Sequence, residues 1–258
     1  MRSIWLLPLL LGACVSAGSS TAAPARTMPP VQVDGPSLIV NGKAPLGLHW
    51  IRTSAEHRAI LIQAYRGAEA RLREIVGPLE RGSWAVIMDA DETVLDNSPY
   101  FQRQAERGHL SFGYYTWREY MDEAISPALP GASEFTRLVN ELGGRVVIVT
   151  NRAEDMCDNT RRNLAKVNIP AAAVLCRAPG VEDKNPRFMA VEKGEVPGLP
   201  PLRVVMYFGD NIQDFPGMFQ AQARDASNAA YNEFGRSWWI LPNPLYGSWE
   251  SNPLPPGS

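Results

Sequence analysis

The stretch WAVIMDADET, Trp84–Thr93, decides the fold: five apolar residues of strand length run straight into two aspartates one residue apart. Unbroken apolar runs suit strands covered on both faces, as in parallel sheets. Three more runs share the pattern: Arg145–Val149 (RVVIV), Val204–Phe208 (VVMYF) and Trp238–Leu241 (WWIL), with Ala173–Leu175 a weaker one between them. Helical patterns lie between: Phe135, Leu138, Val139 and Leu142 before Gly143-Gly144, then Asp155–Val167, Pro186–Lys193 and Pro216–Phe234. Upstream, Thr53-Ser54-Ala55-Glu56 has capping-box spacing. It opens a helix whose apolar face is Ile60, Leu61, Ala64, Ala68, Leu72 and Ile75, stopped by Gly77-Pro78. This rhythm predicts an α/β fold with a doubly wound parallel sheet of about five strands. Residues 95–130 are too long for a simple strand-to-helix connection. With a helix expected around Tyr115–Ile125, they predict a smaller, mostly helical cap.

The polar residues cluster where the strands end. The first strand leads into Asp89 and Asp91, the second into Thr150-Asn151-Arg152, the loop after the third reaches Lys184, and the fourth leads into Gly209-Asp210 and Asp214. In open α/β sheets ligands bind outside the carboxyl ends of the strands, so these segments converge on one crevice. Carboxylates crowded together repel, and a divalent cation relieves them. Carboxylate oxygens without His or thiolate favour Mg²⁺ over zinc. The cluster therefore points to a metal-dependent phosphoryl site. A DxDxT triplet arises by chance in about one chain in 30 of this length, but pairing it in order with GDxxxD, each after an apolar run, is far rarer. The plainer alternatives are that these Asp residues cap turns and helices, and that Lys184 is an exposed loop lysine.

Composition excludes several classes. With 25 Lys+Arg against 27 Asp+Glu in 258 residues, no basic excess marks a binder of nucleic-acid polymers. Three Cys and three His give no zinc-finger spacing; His49, His57 and His109 read as structural. At the N-terminus, Arg2 and the apolar Ile4–Leu11 fit a secretory signal, too short to span a bilayer. The signal ends in Leu11-Gly12-Ala13-Cys14, which resembles the bacterial lipobox. The expected organisation is a signal over 1–13, acylation at Cys14, a flexible Ser/Ala/Thr/Pro-rich tether over 14–36, the folded domain over 37–251 and a Pro-rich tail over 252–258. An ordinary signal peptide with an incidental Cys is the alternative. On the first reading the protein is exported, held on a membrane by its lipid, at the outer membrane or periplasmic or cell-surface face. That location is oxidising, and allows a Cys157–Cys176 disulfide if the geometry permits.

Four segments carry a family resemblance: Val86–Tyr100 (VIMDADETVLDNSPY), Val147–Arg152 (VIVTNR), Val205–Phe215 (VMYFGDNIQDF) and Leu241–Glu250 (LPNPLYGSWE). With the lipobox, the chain resembles the class C, or DDDD, bacterial lipoprotein acid phosphatases and 5′-nucleotidases of the haloacid dehalogenase (HAD) superfamily. Two departures stand out. Ala90 occupies a position usually held by a larger aliphatic residue, and the chain ends soon after Glu250, which puts any C-terminal contact of a homodimer in doubt.

The resemblance implies a HAD-like fold, a small phosphomonoester substrate and roles that the chemistry also needs. Asp89 is then the nucleophile that forms an aspartyl-phosphate, and Asp91 the acid, then base. Mg²⁺ would take the carboxylates of Asp89 and Asp210 and the main-chain carbonyl of Asp91, with Asp214 in direct contact or one step removed. Thr150 and the Asn151 amide, at a helix N-terminus, would hold phosphate oxygens, and Lys184 would offset negative charge. Trp117 and Tyr246 are expected to sandwich a nucleobase or another aromatic leaving group, unless they are core aromatics. A phosphotransferase, a sugar-phosphate phosphatase and a non-catalytic adhesion lipoprotein remain alternatives.

Overall fold

The apolar runs pair as a five-stranded, all-parallel sheet in the order β3-β2-β1-β4-β5, with β1 Trp84–Met88, β2 Arg145–Ala153, β3 Ala173–Arg177, β4 Arg203–Gly209 and β5 Trp238–Ile240. The computed structural model describes residues 32–254. The signal at 1–13 and Cys14 lie outside them. Among the described residues no helix is long and apolar enough to cross a membrane.

β1 is buried at every position because it lies in the middle of the sheet. Its alternating side chains divide between two cores. Trp84, Val86 and Met88 join Leu61, Leu72, Phe135 and Leu164 on one face; Ala85 and Ile87 join Phe188, Val191 and Phe215 on the other. Helices α2 (Ala55–Val76), α5 (Ala132–Glu141) and α6 (Cys157–Lys166) cover the first face, and α7 (Asn185–Lys193) the second. This is the α/β arrangement expected. A third cluster of Leu48, Tyr100, Phe101, Ala105 and Tyr120 ties α1 (Leu46–Thr53) to the two helices within residues 95–130, α3 (Ser98–Glu106) and α4 (Tyr114–Glu123).

Several local expectations need correction. The cap of α2 is Ser54, whose hydroxyl accepts from the His57 amide, because Thr53 closes α1 and bonds back to the His49 carbonyl. Ile60 is exposed, and Tyr65 holds the buried face instead, with its hydroxyl on the Thr93 carbonyl. The helix expected over Pro216–Phe234 is reduced to α8 (Gln220–Arg224) and a single 3-10 turn at Asn228–Tyr231. Gly217 takes φ +69°, and the polar Asp225–Asn228 run favours turns over a continued helix. Residues 32–36, expected in the tether, pack on the end of α3: Asp34 pairs with Arg107 at 2.8 Å and the Gly35 amide donates to the Arg107 carbonyl at 2.9 Å.

Candidate active site

The carboxyl ends of β1 and β4 are neighbours, so the residues leaving them meet. The Asp89 amide donates to the Phe208 carbonyl at 3.0 Å, which locks the exit of β1 against β4. Carboxylate oxygens of Asp89, Asp210 and Asp214 then lie within 4.8 Å of one another. Asp214 reaches this position through a short 3-10 turn closed by Asn211: its Oδ2 accepts from the Asn211 amide at 2.9 Å. Gly209 makes room for it, since a Cβ there would collide with the Asp214 side chain. Asn243, in the segment after β5, donates to Asp210 Oδ2 at 2.7 Å.

Lys184 comes from the connection between β3 and α7. It stands at the N-terminus of α7, 4% exposed, and its Nζ donates to Asp89 Oδ1 and Asp214 Oδ1, both at 2.6 Å. The exposed-lysine alternative is thereby corrected. Burial works against its charge, but Asp214 and Asp89 outweigh it and hold the ammonium protonated. One cation among three carboxylates still leaves two negative charges in excess. Burial first, and then Asp214 and Asp91, push the Asp89 carboxyl up to about 7 against the pull of Lys184. Asp210 is raised well above the usual carboxylate range, by burial and then by Asp214 and Asp89. Three crowded oxygen donors short of positive charge are the donor set of a hard divalent cation.

Asp91 does not join that trio with its side chain. Arg152, at the end of β2, donates to it through Nε at 2.9 Å and Nη2 at 2.7 Å, and Asn97 adds a bond at 2.6 Å. Asn97 also accepts from Ser126 and Arg152 and donates to Glu92 through its backbone amide. Glu92 is buried at a left-handed φ of +48°, and accepts from the Tyr246 hydroxyl. Burial, then Asp91, push its carboxyl up to about 8.

The pair expected to bind phosphate, Thr150 and Asn151, is placed differently from expectation. Thr150 and Asn151 do not open a helix: β2 continues to Ala153, and α6 begins at Cys157 after a 3-10 turn. Thr150 is fully buried, with its Oγ1 accepting from the Arg152 amide at 3.2 Å; Asn151 is exposed. Trp117 and Tyr246 belong to the aromatic cluster over α3 and α4, and Phe112 meets both edge-on, at 4.9 and 4.8 Å between centroids. Trp117 also lies under the Arg152 guanidinium, 5.6 Å from ring to carbon. Cys157 and Cys176 are joined in a disulfide, Cα to Cα 5.9 Å, between the start of α6 and β3.

A family model for the HAD superfamily, subfamily IIIB (acid phosphatase), matches residues 38–249. The chain belongs to that family. Among solved structures, the class C acid phosphatase from Bacillus anthracis is similar, with 30% identity, a TM-score of 0.71, 80% of this chain and 85% of that chain covered. A second structure of the Bacillus anthracis enzyme, with tungstate bound, matches with the same figures. This subfamily IIIB chain is accordingly an acid phosphatase, a hydrolase of small phosphomonoesters. HAD phosphatases use a divalent metal, and among the described residues the Asp89–Asp210–Asp214 carboxylates form a group able to hold one.

Sequence reasoning brought Arg152 to the crevice without giving it a role, and missed three residues of this HAD site: Glu92, Asn97 and Asn243. Each acts by holding another side chain. The available signal was position: Arg152 and Glu92 stand directly beside strand-end residues already singled out, too close to a buried crevice to remain unpaired.

Proposed function

We propose that the chain is a Mg²⁺-dependent phosphomonoesterase that works through an aspartyl-phosphate on Asp89, with nucleoside monophosphates among its substrates. The observation that carries this reading is the gathering of Asp89, Asp210 and Asp214 within 4.8 Å, with Lys184 as their cation. Asp89 attacks phosphorus; the P–O bond to the leaving group breaks, and Asp91 supplies the proton that the alkoxide takes. Asp91 then removes a proton from water, which attacks the aspartyl-phosphate, frees inorganic phosphate and restores Asp89. Mg²⁺ on the carboxylates would neutralise charge on the transferring group and orient it.

Thr150 and Asn151 would receive phosphate oxygens; that the similar Bacillus anthracis enzyme binds tungstate, a tetrahedral oxyanion like phosphate, is in keeping with oxyanion binding by this family. An aromatic leaving group would meet Trp117 and Tyr246, whose partners Arg152 and Glu92 flank Asp91. A lipid on Cys14 would keep the enzyme at a membrane surface, a reading supported by the lipobox alone.

The test is phosphate release from a panel of esters (AMP, glycerol phosphate, glucose 6-phosphate), with Mg²⁺ and with chelator. Release that needs Mg²⁺ and favours AMP is expected. Release indifferent to chelator rejects the metal, and a flat panel rejects nucleotide preference. Phosphoryl transfer to added alcohols exceeding hydrolysis would make it a transferase.

A further inference from the structure

Between Val149↔Leu175 and Ala153↔Arg177 the β2–β3 ladder has three residues on one strand, Thr150, Asn151 and Arg152, against one on the other. On the β1 side, pairing stops at Ile148. The phosphate-binding pair therefore sits on a bulge that neither neighbouring strand holds. Bulges beside active sites re-aim side chains, but at the cost of lost ladder bonds.

Arg187 takes over that support. From the first turn of α7 its Nη1 donates to the Thr150 carbonyl at 2.6 Å and its Nη2 to Asn151 Oδ1 at 2.6 Å. The Asn151 amide group in turn donates to the Glu182 carbonyl at 3.1 Å. A planar guanidinium presents these two donors at fixed spacing, which a lysine does not. Arg187 also lies three residues after Lys184, so a single helical turn carries the cation on Asp89 and the clamp on the bulge.

We propose that Arg187 is a positioning residue for phosphate binding, fixing Thr150 and Asn151 in the conformation that receives the phosphate oxygens and registering them against Asp89 through α7. This rests on the phosphatase reading above.

The test compares wild type, Arg187→Gln and Arg187→Lys for KM, kcat, melting temperature and calorimetric binding of inorganic phosphate in the presence of Mg²⁺. For Arg187→Gln, KM for p-nitrophenyl phosphate and Kd for phosphate should rise together by about tenfold, with kcat within about threefold, as befits two lost charge-assisted bonds behind the binding pair. Arg187→Lys keeps the charge without the fork and should recover less than half of the loss. Unchanged KM and Kd in both variants, a fall in kcat alone, or full recovery by lysine would overturn the proposal. Should Arg187→Gln not fold, Arg187→Lys alone decides: a wild-type Kd there overturns it. Phosphate binding needs no turnover, so a wild type that binds phosphate without hydrolysing esters would sink the phosphatase reading and leave this comparison standing.

Discussion

Arg152 grips Asp91 with two guanidinium nitrogens, Nε at 2.9 Å and Nη2 at 2.7 Å, although 61 positions separate the residues and they leave different strands. The arginine side chain is 1% exposed and the aspartate 17%. The pair keeps the Asp91 carboxylate away from the three-carboxylate cluster; in the proposed mechanism this divides the acidic residues of the site into a metal-holding set and a proton-handling one.

Breaking that grip should be costly in two ways. Removing one partner of a buried pair destabilises by about 3 kcal/mol, the lower end of the range because Asp91 keeps some solvent. Arg152→Leu should therefore lower the melting temperature. It should also slow alkyl phosphates more than p-nitrophenyl phosphate, whose leaving group needs little protonation, by up to about 100-fold. Equal losses on both substrates would show that Arg152 does not act through Asp91.

Gly209 permits the approach of Asp214. In Gly209→Ala the new methyl must displace that carboxylate, and with it one corner of the metal site. The Mg²⁺ concentration for half-maximal activity should rise by about tenfold or more, on the pattern of supporting-residue losses at metal sites. Circular dichroism should stay that of the parent. An unchanged Mg²⁺ titration would place Asp214 outside the metal site.

Without a cation the crowded carboxylates should make stability depend on pH. Asp89 near 7 and Glu92 near 8 lie above the ordinary carboxylate values, so the folded chain binds protons more tightly than the unfolded one. The folded state is then favoured at low pH and loses stability as pH rises from about 4 to about 8. In chelator, thermal melting should drop by roughly 5 °C between about pH 5 and pH 8, and the stabilisation by Mg²⁺ should grow over the same interval. A chelated protein equally stable at both ends would contradict the crowding.

The Cys157–Cys176 bridge closes a loop of sequence separation 19 that contains α6 and the connection into β3. Chain-entropy arguments give such a loop about 3 kcal/mol. Reduction, or Cys176→Ser, should lower stability by about that much, as read by urea unfolding. Equal free-thiol labelling with and without reductant would exclude the bridge.

The sheet was legible because fully buried parallel strands leave apolar runs such as WAVIM and VVMYF, and the Asp89–Asp91 segment was legible because carboxylates at their ends serve no packing purpose. Pro216–Phe234 was misread as helix since its scattered Ala, Phe and Met mimic a periodic face while Gly217 and the polar Asp225–Asn228 run break it. Residues whose partners lie far along the chain left little trace. Arg152, Asn97 and Asn243 earn their roles from contacts 6 to 61 positions away, and nothing in their immediate neighbours announces which carboxylate each will hold. The bulge over Thr150–Arg152 was hidden for a related reason: an apolar run shows where a strand begins to be buried, not where its ladder slips.

The most direct measurement is an acid-quench trap of phosphoenzyme, with turnover, for wild type and Asp89→Asn on p-nitrophenyl phosphate. The account predicts phosphate covalently on Asp89 in the wild type and a rate lowered by at least about 1,000-fold in the variant, which keeps the shape but loses the attacking charge. An Asp89→Asn enzyme that turned over at the parent rate would contradict it.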